Sequence, residues 1–136
     1  MMTKLEKIKE ILKKKDASLV VAYENGNIQD YYQDRIKDLV SIVKENEQAL
    51  NNSMIADKVV GKVAASIMAV AGIRELYAET LSKIAIPVLE NANIQYSYGT
   101  LVDYIKNRDQ SGMCPMEAKY KDETDITKVY QDMVKS

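Results

Sequence analysis

The one cysteine of the chain lies in the motif Cys114-Pro115-Met116-Glu117. Proline is favoured at the first position of a helix, so the motif predicts a short helix that begins at Pro115 with Cys114 as its N-cap. Glu117 follows at the spacing of a capping box in which cysteine replaces serine. A thiol at a helix N-terminus is favoured as the reactive thiolate, and the nearby Arg108 strengthens that preference. Cys114 is therefore a candidate nucleophile, redox thiol or persulfide carrier. The alternative is a small, half-buried and inert cysteine.

A second group of charged residues follows a short apolar segment. The periodicity after Asp57 predicts a helix over residues 57–71 with Asp57 as its N-cap and Gly72 as its C-cap. Lys58 and Lys62 would then share one face at the positive end of the helix dipole. Because cations are unfavourable there, the pair indicates a bound anion, and helix N-termini bind phosphate and carboxylate groups. In the alternative interpretation, Asp57 is only a cap and both lysines are solvated.

The Gly61-Lys62 pair does not complete a phosphate-binding loop. That motif requires a glycine before the pair and a serine or threonine after it, where this chain has Ala56 and Val63. Gly61 and Lys62 are therefore interpreted as part of the predicted helix.

The absence of histidine restricts the available chemistry. It excludes Ser-His-Asp and Cys-His catalysis and every zinc site that needs a histidine ligand. A base for Cys114 must therefore be a carboxylate or a lysine, and the candidates are Glu79, Asp57, Lys58 and Glu117. A single cysteine also excludes an intramolecular disulfide and a multi-cysteine metal cluster, and is typical of a cytoplasmic protein. No metal or cofactor is predicted.

Length and charge set further limits. The 136 residues suit one domain, and 20 acidic and 19 basic residues give a net charge of -1. This balance gives no electrostatic reason to expect a nucleic acid or an anionic membrane as partner. The apolar stretch over residues 63–73 is too short for a membrane helix, which needs about 20 residues. The N-terminus lacks the apolar core of a signal peptide.

The predicted elements place the candidate residues at one edge of a sheet. Helices are expected over residues 3–15, 36–46, 57–71, 81–91 and 125–134, and strands over residues 18–23, 28–32, 53–56, 75–78 and 94–98. Pro87 predicts a kink in the helix over residues 81–91, or a start delayed towards Ile86. Asn25-Gly26 predicts an antiparallel hairpin of the first two strands. The later strand-helix-strand units predict parallel strands and an α/β fold with helices on both faces. Ligands bind beyond the carboxyl ends of such strands, so residues 57, 58 and 79 should meet the 107–117 loop there.

Three segments carry a family resemblance. ADKVVGKVAA (56–65), LYAE (76–79) and NRDQSGMCPMEA (107–118) resemble a small prokaryotic family described as a domain of unknown function and grouped by fold with the cytidine deaminases. The resemblance covers roughly residues 10–120 and implies a three-layer sandwich with a mixed five-stranded sheet. The family's recurring positions are found here as Asp57, Lys58, Gly61, Lys62, Glu79, Asn107, Arg108, Gly112, Cys114, Pro115 and Glu117.

The resemblance does not imply deaminase activity. Zinc deaminases need a histidine or cysteine ligand with a glutamate two residues on, and a Pro-Cys-x-x-Cys pair. This chain has no histidine, and its cysteine precedes its proline. Another relative by fold, an accessory protein of formate dehydrogenase, handles sulfur through cysteines, which keeps persulfide transfer open.

The resulting hypothesis is a protein that binds, and transforms, a small anionic and nucleotide-like metabolite. The expected catalytic residues are Cys114, Glu79 and Glu117. The expected ligand-binding residues are Asp57, Lys58, Gly61, Lys62, Asn107 and Arg108. A ligand sensor without turnover and a structural or partner-binding protein are the alternatives, and a homo-oligomer is compatible with each of them.

Overall fold

The computed structural model describes residues 1–34 and 36–135. Its helices are α1 (Lys4–Lys14), α2 (Lys37–Glu45), α3 (Lys62–Ala71), α4 (Ile86–Asn91), α5 (Pro115–Tyr120) and α6 (Ile126–Val134). Its strands are β1 (Leu19–Ala22), β2 (Ile28–Tyr31), β3 (Met54–Val60), β4 (Glu75–Ser82) and β5 (Gln95–Val102). A turn of 3₁₀-helix over Lys83–Ala85 precedes α4. No helix in these two ranges is both long and apolar enough to cross a bilayer.

The strands form one mixed five-stranded sheet in the order β2-β1-β3-β4-β5. β1 runs antiparallel to both β2 and β3, whereas β3, β4 and β5 are parallel. The predicted hairpin is confirmed: Gly26 has a φ of 97°, and Tyr23 N donates to Asn27 O at 2.8 Å. The prediction of an α/β fold with an antiparallel hairpin followed by parallel strands is therefore confirmed.

Helices cover both faces of the sheet, because successive side chains of a strand point to opposite faces. In β1, Val20 and Ala22 pack with Ile8 and Leu12 of α1 in a small apolar cluster. Leu19 and Val21 belong to a larger cluster on the other face, which includes buried residues of α2, α3, α4 and α6.

The predicted helix over residues 57–71 is wrong in its first turn. Residues 57–60 complete β3, and α3 begins only at Lys62 with Gly61 as its N-cap. Asp57 is not a cap; it pairs with Leu19 of β1 and Ala78 of β4. Because β3 is hydrogen-bonded on both sides, sheet pairing overrides the local helical periodicity, and Val59 and Val60 suit a strand. Lys58 and Lys62 therefore do not share a helix face.

The ends of the neighbouring helices agree better with expectation. Gly72 follows α3 in the left-handed conformation with a φ of 81°, as predicted for a C-cap. The helix predicted over residues 81–91 is wrong in its first five residues: β4 extends to Ser82, Lys83–Ala85 form a 3₁₀ turn, and the α-helix begins at Ile86, because Pro87 fits only the first turn of a helix. α5 begins at Pro115 with Cys114 as its N-cap residue, also as predicted.

Candidate functional site

A cavity of about 390 Å³ lies where the carboxyl end of β3, the start of α3 and the segment before α5 meet. We call it the Cys114 cavity. Segments more than forty residues apart in the chain thus contribute to one concave surface. Its lining residues include the predicted Asp57, Lys58, Gly61, Asn107, Arg108, Cys114 and Glu117.

Backbone hydrogen bonds hold Cys114 at this cavity. Cys114 N donates to Ile105 O at 2.7 Å, and Lys106 and Met113 form an isolated antiparallel bridge. Asn107 shapes the turn between them, because its Oδ1 accepts a hydrogen bond from Ser111 N at 3.0 Å. The thiol-bearing residue is 7% exposed, so most of its surface is covered while it still lines the cavity.

Glu117 makes different hydrogen bonds from those of the predicted capping box. Its Oε1 accepts a hydrogen bond from Lys62 N and its Oε2 one from Ile105 N, both at 2.7 Å. The expected capping box with Cys114 is therefore wrong. The anion at the start of α3 is the buried Glu117 carboxylate itself, where an external phosphate or carboxylate was expected. With an amide on each oxygen, Glu117 is suited to position α3 and the segment before α5.

The two lysines that were expected to act together are separated. Lys62 is 7% exposed, and its Nζ donates to Lys121 O at 3.0 Å and also to Glu123 O. These carbonyls lie between α5 and α6, so Lys62 links that connection to α3. Lys58 lines the cavity, and its Nζ forms an ion pair with Asp16.

Asp57 is the titratable group of the cavity with the most perturbed environment. It is 7% exposed, and its Oδ1 accepts a long hydrogen bond of 3.4 Å from Val59 N. Burial raises its pKa to about 8, and the carboxylate of Asp38 adds to the shift, whereas backbone amides oppose it. At neutral pH Asp57 is therefore largely a neutral carboxylic acid that can donate a proton or a hydrogen bond.

Two further charged residues, Asp34 and Lys106, line the cavity without having been indicated by the sequence. Arg108 Nη2 lies 3.0 Å from Asp34 Oδ2, in an ion pair that joins the Cys114 loop (residues 107–113) to the segment after β2. No local pattern indicates Asp34, because its contact with Arg108 spans 74 positions of the chain.

Glu79 lies elsewhere. It was expected just after a strand, but β4 continues to Ser82 and places Glu79 inside the strand. Within the described ranges, Glu79 is not among the residues that line the Cys114 cavity. Also among the described residues, no group of three or more histidine, cysteine, aspartate or glutamate side chains is arranged to hold a metal ion.

Comparisons with known proteins identify the family of this chain. The sequence profile of the TM1506 domain of unknown function, DUF1893, matches residues 7–135. The crystal structure of TM1506, a DUF1893 protein from Thermotoga maritima, is similar to this chain with a TM-score of 0.85. Its sequence is 25% identical, and the match covers 99% of this chain and 92% of the other. Among curated proteins, none matches the chain. Since the profile spans nearly all of the sequence, the chain belongs to the DUF1893 family.

Proposed function

We propose that the Cys114 cavity binds a small anionic metabolite and that Cys114 is the group that reacts with it. The observation that carries this proposal is the convergence of Cys114, the buried Asp57 and three cationic side chains on one cavity. We also propose that the protein is cytoplasmic, and that its fold is related to that of the cytidine deaminases. The mixed sheet with an antiparallel first hairpin supports the fold relation.

The charges of the cavity favour an anion. Lys58, Lys106 and Arg108 line it, and the carboxyl of Asp57 contributes little negative charge at neutral pH because its pKa is raised to about 8. Glu117 is occupied by two backbone amides. Asp34 and Glu117 bring two carboxylates to the same lining, so the three cationic side chains are in excess, and an excess of one sign of charge attracts ligands of the other sign.

The remaining wall of the cavity is apolar and suits an uncharged part of the ligand. Ile36, Val63, Ile105 and Met116 supply it. Cavities that combine an apolar wall with a few polar groups are the usual form of small-molecule sites.

Asp57 is the carboxyl best placed to exchange a proton during a reaction at Cys114. Glu79 lies away from the cavity, and both oxygens of Glu117 accept amide hydrogen bonds. A carboxyl with a pKa near neutral can serve as either proton donor or acceptor.

The test combines a ligand screen with a chemical probe of the thiol. Nucleotides and phosphorylated metabolites are screened by thermal shift, and Cys114 is then alkylated with iodoacetamide, with and without each compound that stabilises the protein. We expect a bound anion to slow alkylation, and Arg108→Ala to weaken both effects. A matched control is Arg74→Ala, because Arg74 is not among the described residues that line the cavity.

The variants also separate reaction from binding. Cys114→Ser should keep ligand affinity and lose any chemical conversion of the ligand. Stabilising anions that leave the alkylation rate unchanged, or no stabilising anion at all, would contradict the proposed site. Conversion that persists in Cys114→Ser would remove the catalytic role and leave a binding protein.

A further inference from the structure

We propose that the ligand of the Cys114 cavity carries two separate anionic groups, one that binds Lys58 and one that binds Arg108. In the structure, the carboxylates of Asp16 and Asp34 pair with these two basic residues and take the positions of the ligand's anionic groups. This inference rests on the proposed function and narrows its ligand class. It would exclude ligands with a single phosphate or a single carboxylate as the preferred occupants.

The first carboxylate that occupies a ligand position is that of Asp16, in the turn between α1 and β1. Its carboxylate forms an ion pair with Lys58 Nζ, although its side chain is 87% exposed. Asp16 has a φ of 53°, a left-handed conformation in which aspartate is tolerated better than most residues. The carboxylate thus reaches Lys58 from a solvent-exposed turn; Lys58 lines the cavity, and Asp16 is not among the described residues that do.

The second such carboxylate is that of Asp34, in the segment after β2. It pairs with Arg108, and the two side chains are 63% and 67% exposed. Asp34 and Arg108 both line the cavity, so a ligand there meets this pair directly. Arg108 offers the planar fork of donors that binds carboxylates and phosphates well.

The partners of Lys62 differ from those of Lys58 and Arg108. Its ammonium group is buried and donates to two backbone carbonyls, which keep it away from the cavity. Lys58 and Arg108 are instead held by exposed carboxylates, and such pairs change an equilibrium constant by no more than about fivefold. An anionic group of a ligand in the partly enclosed cavity can therefore replace either carboxylate at little cost.

The experiment compares ligands that differ by one anionic group. Glutarate is compared with valerate, and phosphoglycolate with ethyl phosphate, by calorimetry at constant ionic strength. We expect each compound with two anionic groups to bind about twofold to fivefold more tightly than its partner. Lys58→Ala and Arg108→Ala should each abolish that advantage.

The decisive variants remove the carboxylates of Asp16 and Asp34. Asp16→Asn and Asp34→Asn should each tighten binding of glutarate and phosphoglycolate by up to about fivefold, because a competing carboxylate is lost. Glu10→Gln is the matched control: it changes the net charge equally and breaks an exposed ion pair with Lys14 on α1. It should leave binding unchanged.

The outcomes distinguish this inference from the function on which it rests. If compounds with one anionic group bind as tightly as those with two, or if Asp16→Asn and Asp34→Asn bind no better than Glu10→Gln, the two-anion ligand is excluded while the anion site stands. If no anion of either panel binds and the ligand screen also finds no stabilising anion, both proposals fall.

Discussion

The carboxylate of Glu117 lies so close to Gly61 that a Cβ atom on the glycine would be 2.7 Å from Oε1. Glu117 cannot easily withdraw, because its two oxygens accept hydrogen bonds from Lys62 N and Ile105 N. One side chain of α5 thus stabilises the start of α3 and fixes the segment that leads to Cys114. Glycine at position 61 is what leaves room for it.

Gly61→Ala should destabilise the protein, because the new methyl group forces Glu117 off one of its two amides. We expect the free energy of unfolding to fall by about 1–3 kcal/mol, measured by chemical denaturation. Gly112→Ala is the control, because a Cβ there meets nothing within 4 Å. A Gly61→Ala protein as stable as Gly112→Ala would contradict the close contact.

Glu117→Gln tests the same contact from the other side. A glutamine offers only one oxygen, so its NH₂ group faces a backbone N–H and leaves it unsatisfied. We expect a loss of about 1–3 kcal/mol in the free energy of unfolding, against less than about 0.5 kcal/mol for the exposed Glu10→Gln. Equal stability of the two variants would show that Glu117 does not hold these amides.

Asp57→Asn should change the pH dependence of stability. The folded-state pKa of about 8 lies above the ordinary value of 3.8, so the native state retains a proton that the unfolded chain loses between these values. Stability that is fully present below the ordinary pKa should therefore decline as pH rises, by about 1.4 kcal/mol per pH unit. This slope should be absent in Asp57→Asn over the same interval, as measured by urea denaturation at a series of pH values. Identical slopes would refute the raised pKa.

Lys62→Met should lower stability without affecting the ligand. The substitution leaves Lys121 O and Glu123 O without the ammonium group that they accept from. We expect a loss of about 1–3 kcal/mol in the free energy of unfolding. Affinity for any anion that binds the Cys114 cavity should stay unchanged, whereas Lys58→Ala should reduce it. A Lys62→Met protein that folds normally but loses anion affinity would place Lys62 in the site.

The fold class could be predicted from the sequence because each signal for it involves only a few neighbouring residues. Asn25-Gly26 indicates a hairpin, and Gly72 and Pro87 mark the ends and starts of helices. The first turn assigned to the central helix failed, because residues 57–60 become a strand only when β1 and β4 pair with them. Propensity alone does not report such a neighbour.

The site was predictable only in part for the same reason. The rule that ligands bind beyond the carboxyl ends of parallel strands brought residues 57 and 58 and the Cys114 loop to one place. It could not show that Glu117 would turn towards Lys62, nor that Asp34 would meet Arg108 across 74 positions. Those contacts depend on the completed packing of distant segments.

The two apolar clusters on opposite faces of the sheet differ in size, and this difference affects which part of the molecule unfolds first. Among the helices in the described part of the chain, α1 is the one that contributes to the smaller apolar cluster, to which it supplies Ile8 and Leu12. Proteins unfold locally in cooperative units, beginning with those that have the fewest buried contacts. α1 should therefore detach from the sheet in a partial unfolding that leaves the opposite layer intact. Its amide hydrogens should exchange with solvent faster than those of α3.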